Sequence, residues 1–299
     1  MPESVRVLTD EDVKRRLTPE LAVAAARQAV VDAYRGGLAA PSRVTAELGE
    51  NSLVFTAGGY PGGPVGFRVY GLWPSPSDQA VLVWDGSGSL SGVVVGVELG
   101  IRRTGALGAV AVDALARDGA HRVGVVGTGA QAWAQLWAVT AVRESLEAFV
   151  YSPTVEHRDA FAARARRELG VPATSVASAR DAVEGVEILI LATRSLEPVI
   201  DACWVEEGTH VNTVGPKTAS GHETPAELAD RAAIVAADSP RQAEAYGEPF
   251  FTSRPLGHLG DPAVTRADAR DITLYCSTGL AGSEVVLASA LLNAARGGA

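Results

Sequence analysis

Lysine is almost missing from this chain. Of 26 basic residues only Lys14 and Lys217 are lysine, and the rest are arginine. Arginine fills the routine surface positions, so a retained lysine stands out. Cysteine is scarce too. Cys203 and Cys276 lie far apart with no metal-ligand spacing, and they read as buried core thiols. Neither a disulfide framework nor a metal site is expected. Basic charge is also short: the net charge is −9. That excludes non-specific nucleic-acid binding, which relies on a basic surface. Every apolar run is interrupted by glycine or charge well short of a bilayer span. The opening MPESVRVLTDEDVKRRL has no apolar core of a secretion signal. A soluble cytoplasmic protein is expected, without a nucleic-acid or membrane partner. Repeats and low-complexity linkers are missing as well.

What is present is a chain of 299 residues, 47% hydrophobic and 20% charged, enough for one large or two ordinary domains. Residues 10–36 read as helical, and Thr18-Pro19-Glu20 is a good start signal. From about 43 to 96 the runs RVTAEL, SLVFTA, VGFRVYG, QAVLVWD and SLSGVVV alternate with GGYPGGP, PSPSD and DGSGS. These are short strands and turn chemistry, expected to form an antiparallel sheet with a hairpin corner at Asp85-Gly86. Residues 98–118 return to helix despite internal glycines. Strand and helix then alternate, which implies a parallel sheet with helices on both faces. The last helix is GLAGSEVVLASALLNAAR.

The stretch HRVGVVGTGAQAWAQLW is a strand, a glycine turn and a helix. Its pattern is Gly127-x-Gly129-x-x-Ala132. The first glycine permits the tight turn, the second lets backbone approach a pyrophosphate, and a small third residue lets helix and strand pack closely. Thr128, Ala130 and Gln131 complete the loop, and Thr193 ends a later strand, EILILAT. The next strand ends Val150-Tyr151-Ser152-Pro153-Thr154, where a carboxylate for the ribose of NAD would stand. No acid stands there. Ser152, Thr154, His157 and Arg158 suit a 2′-phosphate, so NADP is favoured over NAD. His157 and Arg158 can equally belong to a solvated helix face.

Four stretches in order resemble the ornithine cyclodeaminase/mu-crystallin family. They are Arg102-Arg103-Thr-Gly-Ala106, Gly127-Thr-Gly-Ala-Gln-Ala132, Gly208-Thr-His-Val-Asn-Thr-Val-Gly215 and Ile272-Thr-Leu-Tyr-Cys-Ser-Thr-Gly-Leu-Ala281. The resemblance implies an α/β fold of two domains with the active site between them. Residues 1–112, completed by 279–299, would bind substrate and make a homodimer. Residues 113–278 would form the Rossmann domain.

It also implies a carboxylate clamp. The matching positions are Arg43, Arg68 and Arg103. Guanidinium suits the task, being planar, permanently charged and bidentate. Arg68 departs from the family, which usually has lysine there, so the charge is kept and a proton donor is lost. Arg102 and Arg103 cannot both face one cleft, and the motif selects Arg103. Tyr70, Trp73 and Phe67 are candidates for the pocket wall.

Family cyclodeaminases carry an aspartate where this chain has Lys217. Three roles for Lys217 stay open: an acid for the imine nitrogen with its pKa lowered by arginines, a binder of a second acidic group, or a solvated loop lysine. His222 and Glu223 are alternatives for the proton role. The expected activity is NAD(P)H-dependent reduction of a 2-imino acid, cyclic or acyclic, with Lys217 and Arg68 as catalytic candidates. A cyclodeaminase of a diamino acid and a cofactor-loaded binding protein are the other readings.

Overall fold

The computed structural model describes residues 5–73, 78–244, 247–251 and 253–295. The expected turn PSPSD falls, over 74–77, outside the described residues. Two compact units emerge: residues 1–103 with 279–299, and residues 104–278. The division lies inside a helix after Arg103, not after residue 112.

The first unit begins β1 (Arg6–Leu8), α1 (Asp10–Arg16) and α2 (Pro19–Tyr34). The single helix expected over 10–36 is thus two. It breaks before Thr18, whose hydroxyl accepts from Leu21 N at 3.3 Å and caps α2. Then come β2 (Val44–Leu48), β3 (Asn51–Gly59), β4 (Val65–Leu72), β5 (Gln79–Trp84) and β6 (Leu90–Val95). They form one sheet in the order β1-β6-β5-β4-β3-β2. Only the β1–β6 pairing is parallel. Between β5 and β6 the chain makes a longer loop than a two-residue corner. Asp85 Oδ1 organises it, accepting from Ser87 N and Ser89 N at 2.9 and 3.0 Å.

α3 (Glu98–Leu115) leads into the second unit. There β7 (Arg122–Val126), α4 (Ala130–Val139), β8 (Glu147–Tyr151), α5 (Val155–Glu168), β9 (Ala173–Ser175), α6 (Ala179–Val183) and β10 (Ile188–Leu191) alternate. They are followed by β11 (His210–Thr213), the hairpin β12 (Lys217–Thr218) and β13 (Gly221–His222), then α7 (Ala226–Arg231), β14 (Ile234–Ala237), α8 (Pro240–Glu244), β15 (Gly257–His258) and β16 (Thr273–Cys276). The main sheet runs β15-β14-β16-β11-β10-β7-β8-β9, and every pair in it is parallel. From β9 to β16 this is the doubly wound order of a Rossmann domain, as expected. Ile188–Leu191 are buried throughout, as strands covered on both faces must be.

The glycines of α3 have a packing role. A Cβ on Gly105 would sit 2.1 Å from Ala134 O, and one on Gly108 would sit 1.9 Å from Gln135 Oε1, so α3 and α4 are in backbone contact. A buried polar chain crosses this region. Asn212 Nδ2 donates to Gly108 O and Gln135 Oε1, and Asn212 Oδ1 lies 2.8 Å from His210 Nε2. Cys276 is buried on β16, but Cys203 is exposed, against expectation. It sits on a 3₁₀ turn, Ala202–Trp204, rather than on a core strand. No helix among the described residues is long and apolar enough to cross a membrane.

The last helix among the described residues is α9 (Ser283–Ala294), which packs in the first unit against α2 and the inner face of the antiparallel sheet. Strand alternation places Val54, Thr56, Val81, Val83 and Val94, all buried, on that face. The opposite face carries Phe55, Phe67 and Trp84. Their rings stack or tilt at centroid distances of 5.9–6.0 Å.

Candidate active site

Strand order reverses between β7 and β10, where open α/β sheets form their ligand crevice. Gly127 follows β7 directly, at φ +108°, and a Cβ there would lie 2.3 Å from Ala192 O. No other residue fits this turn. Gly129 is the N-cap of α4, and a Cβ there would meet nothing within 4 Å. It faces open space beside the free N–H groups of the helix start, which suits an anion. A cavity of about 470 Å³ lies here, lined by Gly127, Thr128, Gly129, Ala130, Gln131, Ser152, Thr193, Val214 and Gly215 among others. Gln131 Oε1 is buried in this structure without a hydrogen-bond partner, an acceptor suited to a ribose hydroxyl. The residues present fit a dinucleotide.

Thr154, His157 and Arg158, expected at the cofactor, do not line this cavity. Thr154 is the N-cap of α5. Arg158 Nη1 donates to Ser152 O at 3.0 Å, and its guanidinium sits 5.7 Å from the Tyr151 ring. A neighbouring cavity shares Thr128, Gly129, Ala130 and Arg194 with it and adds His157 and Arg164. The sequence reading missed Arg164 and Arg194.

Glu223 organises the cavity's lip. It is fully buried. Its Oε2 accepts from Thr193 N at 2.7 Å and Thr193 Oγ1 at 2.8 Å. Its Oε1 accepts from Thr213 Oγ1 at 2.9 Å, Val214 N at 3.1 Å and Gly215 N at 2.6 Å. One carboxylate thereby ties the end of β10 to the end of β11. A Cβ on Gly215 would fall 2.4 Å from that carboxylate, which explains the glycine. The geometry makes Glu223 a positioning residue. His222 lies beside it, with Nδ1 2.8 Å from Thr224 O and its ring stacked on Phe250.

Lys217 holds the same lip from the carbonyl side. Its ammonium donates to Val214 O at 3.2 Å and Gly215 O at 2.6 Å. It also lines a small cavity with Cys276, Thr278 and Phe251. Burial lowers its pKa below the usual lysine value, and Cys276, Glu223 and Asp238 pull it back upward. The lowering comes from burial, not from the arginines the sequence suggested. Lys217 is therefore no solvated loop lysine.

In the first unit two arginines meet on one acid. Arg68 Nη1 donates to Glu284 Oε1 at 3.1 Å, and Arg103 Nη2 donates to the same oxygen. Arg68 Nε donates to Gln79 Oε1 at 3.0 Å, with Nη2 on the same acceptor, and its Cζ lies 4.5 Å from the Tyr70 ring centroid. A Cβ on Gly100 would be 3.4 Å from Arg68 Cζ, so this glycine gives the guanidinium room. Arg102 points elsewhere, to Glu98 and Leu17 O. Arg43 is half-buried in the connection before β2. Tyr70 shares the face of Arg68. Phe67 does not, since it lies one residue out of phase, and Trp73 is exposed. Glu284 escaped the sequence reading. Its signal is a lone carboxylate inside an otherwise uncharged helix.

Fold and cavity together define a dinucleotide-binding α/β protein. The ornithine cyclodeaminase/mu-crystallin family profile matches residues 67–299, and the chain belongs to that family. It is 31% identical to the Delta(1)-pyrroline-2-carboxylate reductase of Bacillus cereus over 63% of this chain and 62% of the relative. The ketimine reductase mu-crystallin of Mus musculus is 29% identical over 71% of this chain and 68% of its own. The sequence matches thus span about two thirds or less of these relatives. Among solved structures, Thermococcus litoralis Delta(1)-pyrroline-2-carboxylate reductase, in complex with NADH and L-proline, superposes with a TM-score of 0.84. The identity is 26% over 97% of both chains.

Proposed function

We propose that this protein reduces a 2-imino acid to an amino acid with NADPH, in preference to NADH. The observation that carries the reading is the conjunction of a dinucleotide cavity with a pair of arginines, Arg103 buried and Arg68 half-buried, in one family member. Relatives named for pyrroline-2-carboxylate and ketimine reduction support it. When bound, the reduced nicotinamide supplies a hydride for the carbon of a C=N bond. Gly127, Thr128, Gly129, Ala130, Gln131, Ser152 and Thr193 would hold the dinucleotide. Arg43, Arg68 and Arg103 bind the substrate carboxylate and fix the imine's orientation, which lowers the barrier by positioning. Lys217, with its pKa brought down by burial, gives a proton to the imine nitrogen.

The preference for NADPH rests on two features. No carboxylate stands at the end of β8, over Ser152–Thr154, and Arg164 and Arg194 bring guanidinium groups, with the His157 imidazole, to the cavity beside the glycine loop. A homodimer is part of the same reading. The outer sheet face is apolar, with Val44 61% and Leu48 55% exposed beside Phe55, Phe67 and Trp84, and a second copy would cover it.

The test mixes purified protein with NADPH or NADH and a panel of preformed cyclic imines and of 2-oxo acids with amines. Oxidation of NADPH by one carboxylated imine class is expected. Cofactor binding without oxidation by any of them would overturn the reading.

A further inference from the structure

Glu284 is 1% exposed, and it stands in the first turn of a helix whose other residues are all uncharged, Val285, Val286 and Leu287 following it directly. A carboxylate in such a place is costly unless paired. Burial pushes its pKa up, but Arg103 and Arg68 more than reverse this and hold it ionised. Both guanidiniums use the same oxygen, Oε1. The neutral amide of Gln79 holds Arg68 from its Nε side. The trio of two cations and one anion therefore carries a single net positive charge.

We propose that Glu284 sets the charge that the arginine pair presents, so that the site accepts a group with one negative charge and turns away a dianion. The inference rests on reading Arg68 and Arg103 as the substrate-carboxylate clamp. A singly charged carboxylate neutralises the trio. A doubly charged ligand brings its second charge into a region of low dielectric beside the ionised Glu284, where like charges repel strongly. Glu284 is then a specificity-determining residue that acts through the arginines and need not touch the substrate.

The test uses malonate and its half-amide, malonamate, which have nearly the same shape and differ by one charge. Binding of each is measured by calorimetry to the full chain saturated with NADPH, at a pH where malonate is fully dianionic. Wild type should bind malonamate more tightly, by about tenfold or more. Glu284→Gln should erase or invert that ratio, and Glu284→Asp, which keeps the charge, should retain the wild-type ratio. A purely structural role would change stability and leave the ratio alone. Wild type preferring malonate would overturn the proposal whether or not Glu284→Gln folds. So would an unchanged ratio in Glu284→Gln. If Arg103→Gln binds both ligands as wild type does, the clamp itself fails and the proposal falls with it. A clamp that responds to Arg103→Gln while Glu284→Gln keeps the ratio overturns the role of Glu284 alone.

Discussion

Replacing Glu223 by glutamine changes one oxygen to an amide nitrogen in a site where every neighbour donates. Three of those donors are backbone N–H groups, from Thr193, Val214 and Gly215, and cannot turn away. The others are the hydroxyls of Thr193 and Thr213. The least harmful orientation aims the new NH₂ at Thr193, whose hydroxyl can rotate, and opposes one backbone N–H. That position loses a charge-assisted bond and gains a donor facing a donor, while the bonds to the other oxygen fall from charge-assisted to neutral strength. With charge-assisted bonds at ~1.5–3 kcal/mol and neutral ones at ~0.5–1.5, the gross loss is about 3–5 kcal/mol. Relief from burying a charge offsets part of it, leaving a net loss of about 2–4 kcal/mol. Urea unfolding should show this as a lower midpoint at unchanged slope. Because Thr193, Val214 and Gly215 line the cavity, NADPH affinity, followed by its fluorescence, should fall by about tenfold. A variant within about 0.5 kcal/mol of wild type that also binds NADPH normally would refute the role assigned to Glu223.

The two loop glycines should respond differently. Gly127→Ala, at positive φ and against Ala192 O, should lose about 2 kcal/mol or more of stability. Gly129→Ala should stay within about 1 kcal/mol yet lose dinucleotide affinity, and calorimetry with NADPH separates the two. Arg103→Gln should lower kcat/KM for the imine about a hundredfold or more while leaving NADPH binding intact. Lys217→Met should flatten the alkaline limb of the pH–rate profile. In wild type, activity should fall as pH rises through a lysine pKa lowered below its usual value. His210 is driven by burial to about 3. Above its unfolded pKa neither state binds the proton. Below it the unfolded chain takes the proton up and the folded chain refuses it until about 3, so stability is lost as pH falls across that window. His210→Gln should remove about 1.4 kcal/mol per pH unit from that slope in urea titrations.

The architecture was legible because its signals are local. The glycine loop lies between a strand and a helix, and the β runs of 43–96 are separated by turn residues. β1, β9 and β15 were missed because two or three residues show no periodicity, and their pairing depends on distant partners. Helix α3 was read correctly through its glycines, but their reasons, room for Arg68 at Gly100 and close packing on α4 at Gly105 and Gly108, are tertiary. The site was legible at its charges and opaque in its couplings. Arg68 and Arg103 could be picked out singly. That both converge on Glu284, 181 residues beyond Arg103, depends on the return of α9 to the first unit. Lys217 stood out by rarity, yet its cause of perturbation, burial behind the Val214–Gly215 peptides, appears only once β12 folds back as a hairpin. Arg158 was chosen by proximity in sequence, but helix α5 turns it onto the Ser152 carbonyl and leaves His157, with Arg164 and Arg194, beside the second cavity.

The most direct test of the account is the fate of the transferred hydrogen. NADPH deuterated at nicotinamide C4 on the transferred face, each face being labelled in turn, would be turned over with Δ1-pyrroline-2-carboxylate, and the product examined by mass spectrometry and NMR. Proline with one deuterium on the carbon beside the carboxylate, and one NADP⁺ formed per product, is the expected result. Proline without deuterium from either labelled cofactor, or no turnover of that imine while ornithine yields ammonia with no net change in cofactor, would contradict it.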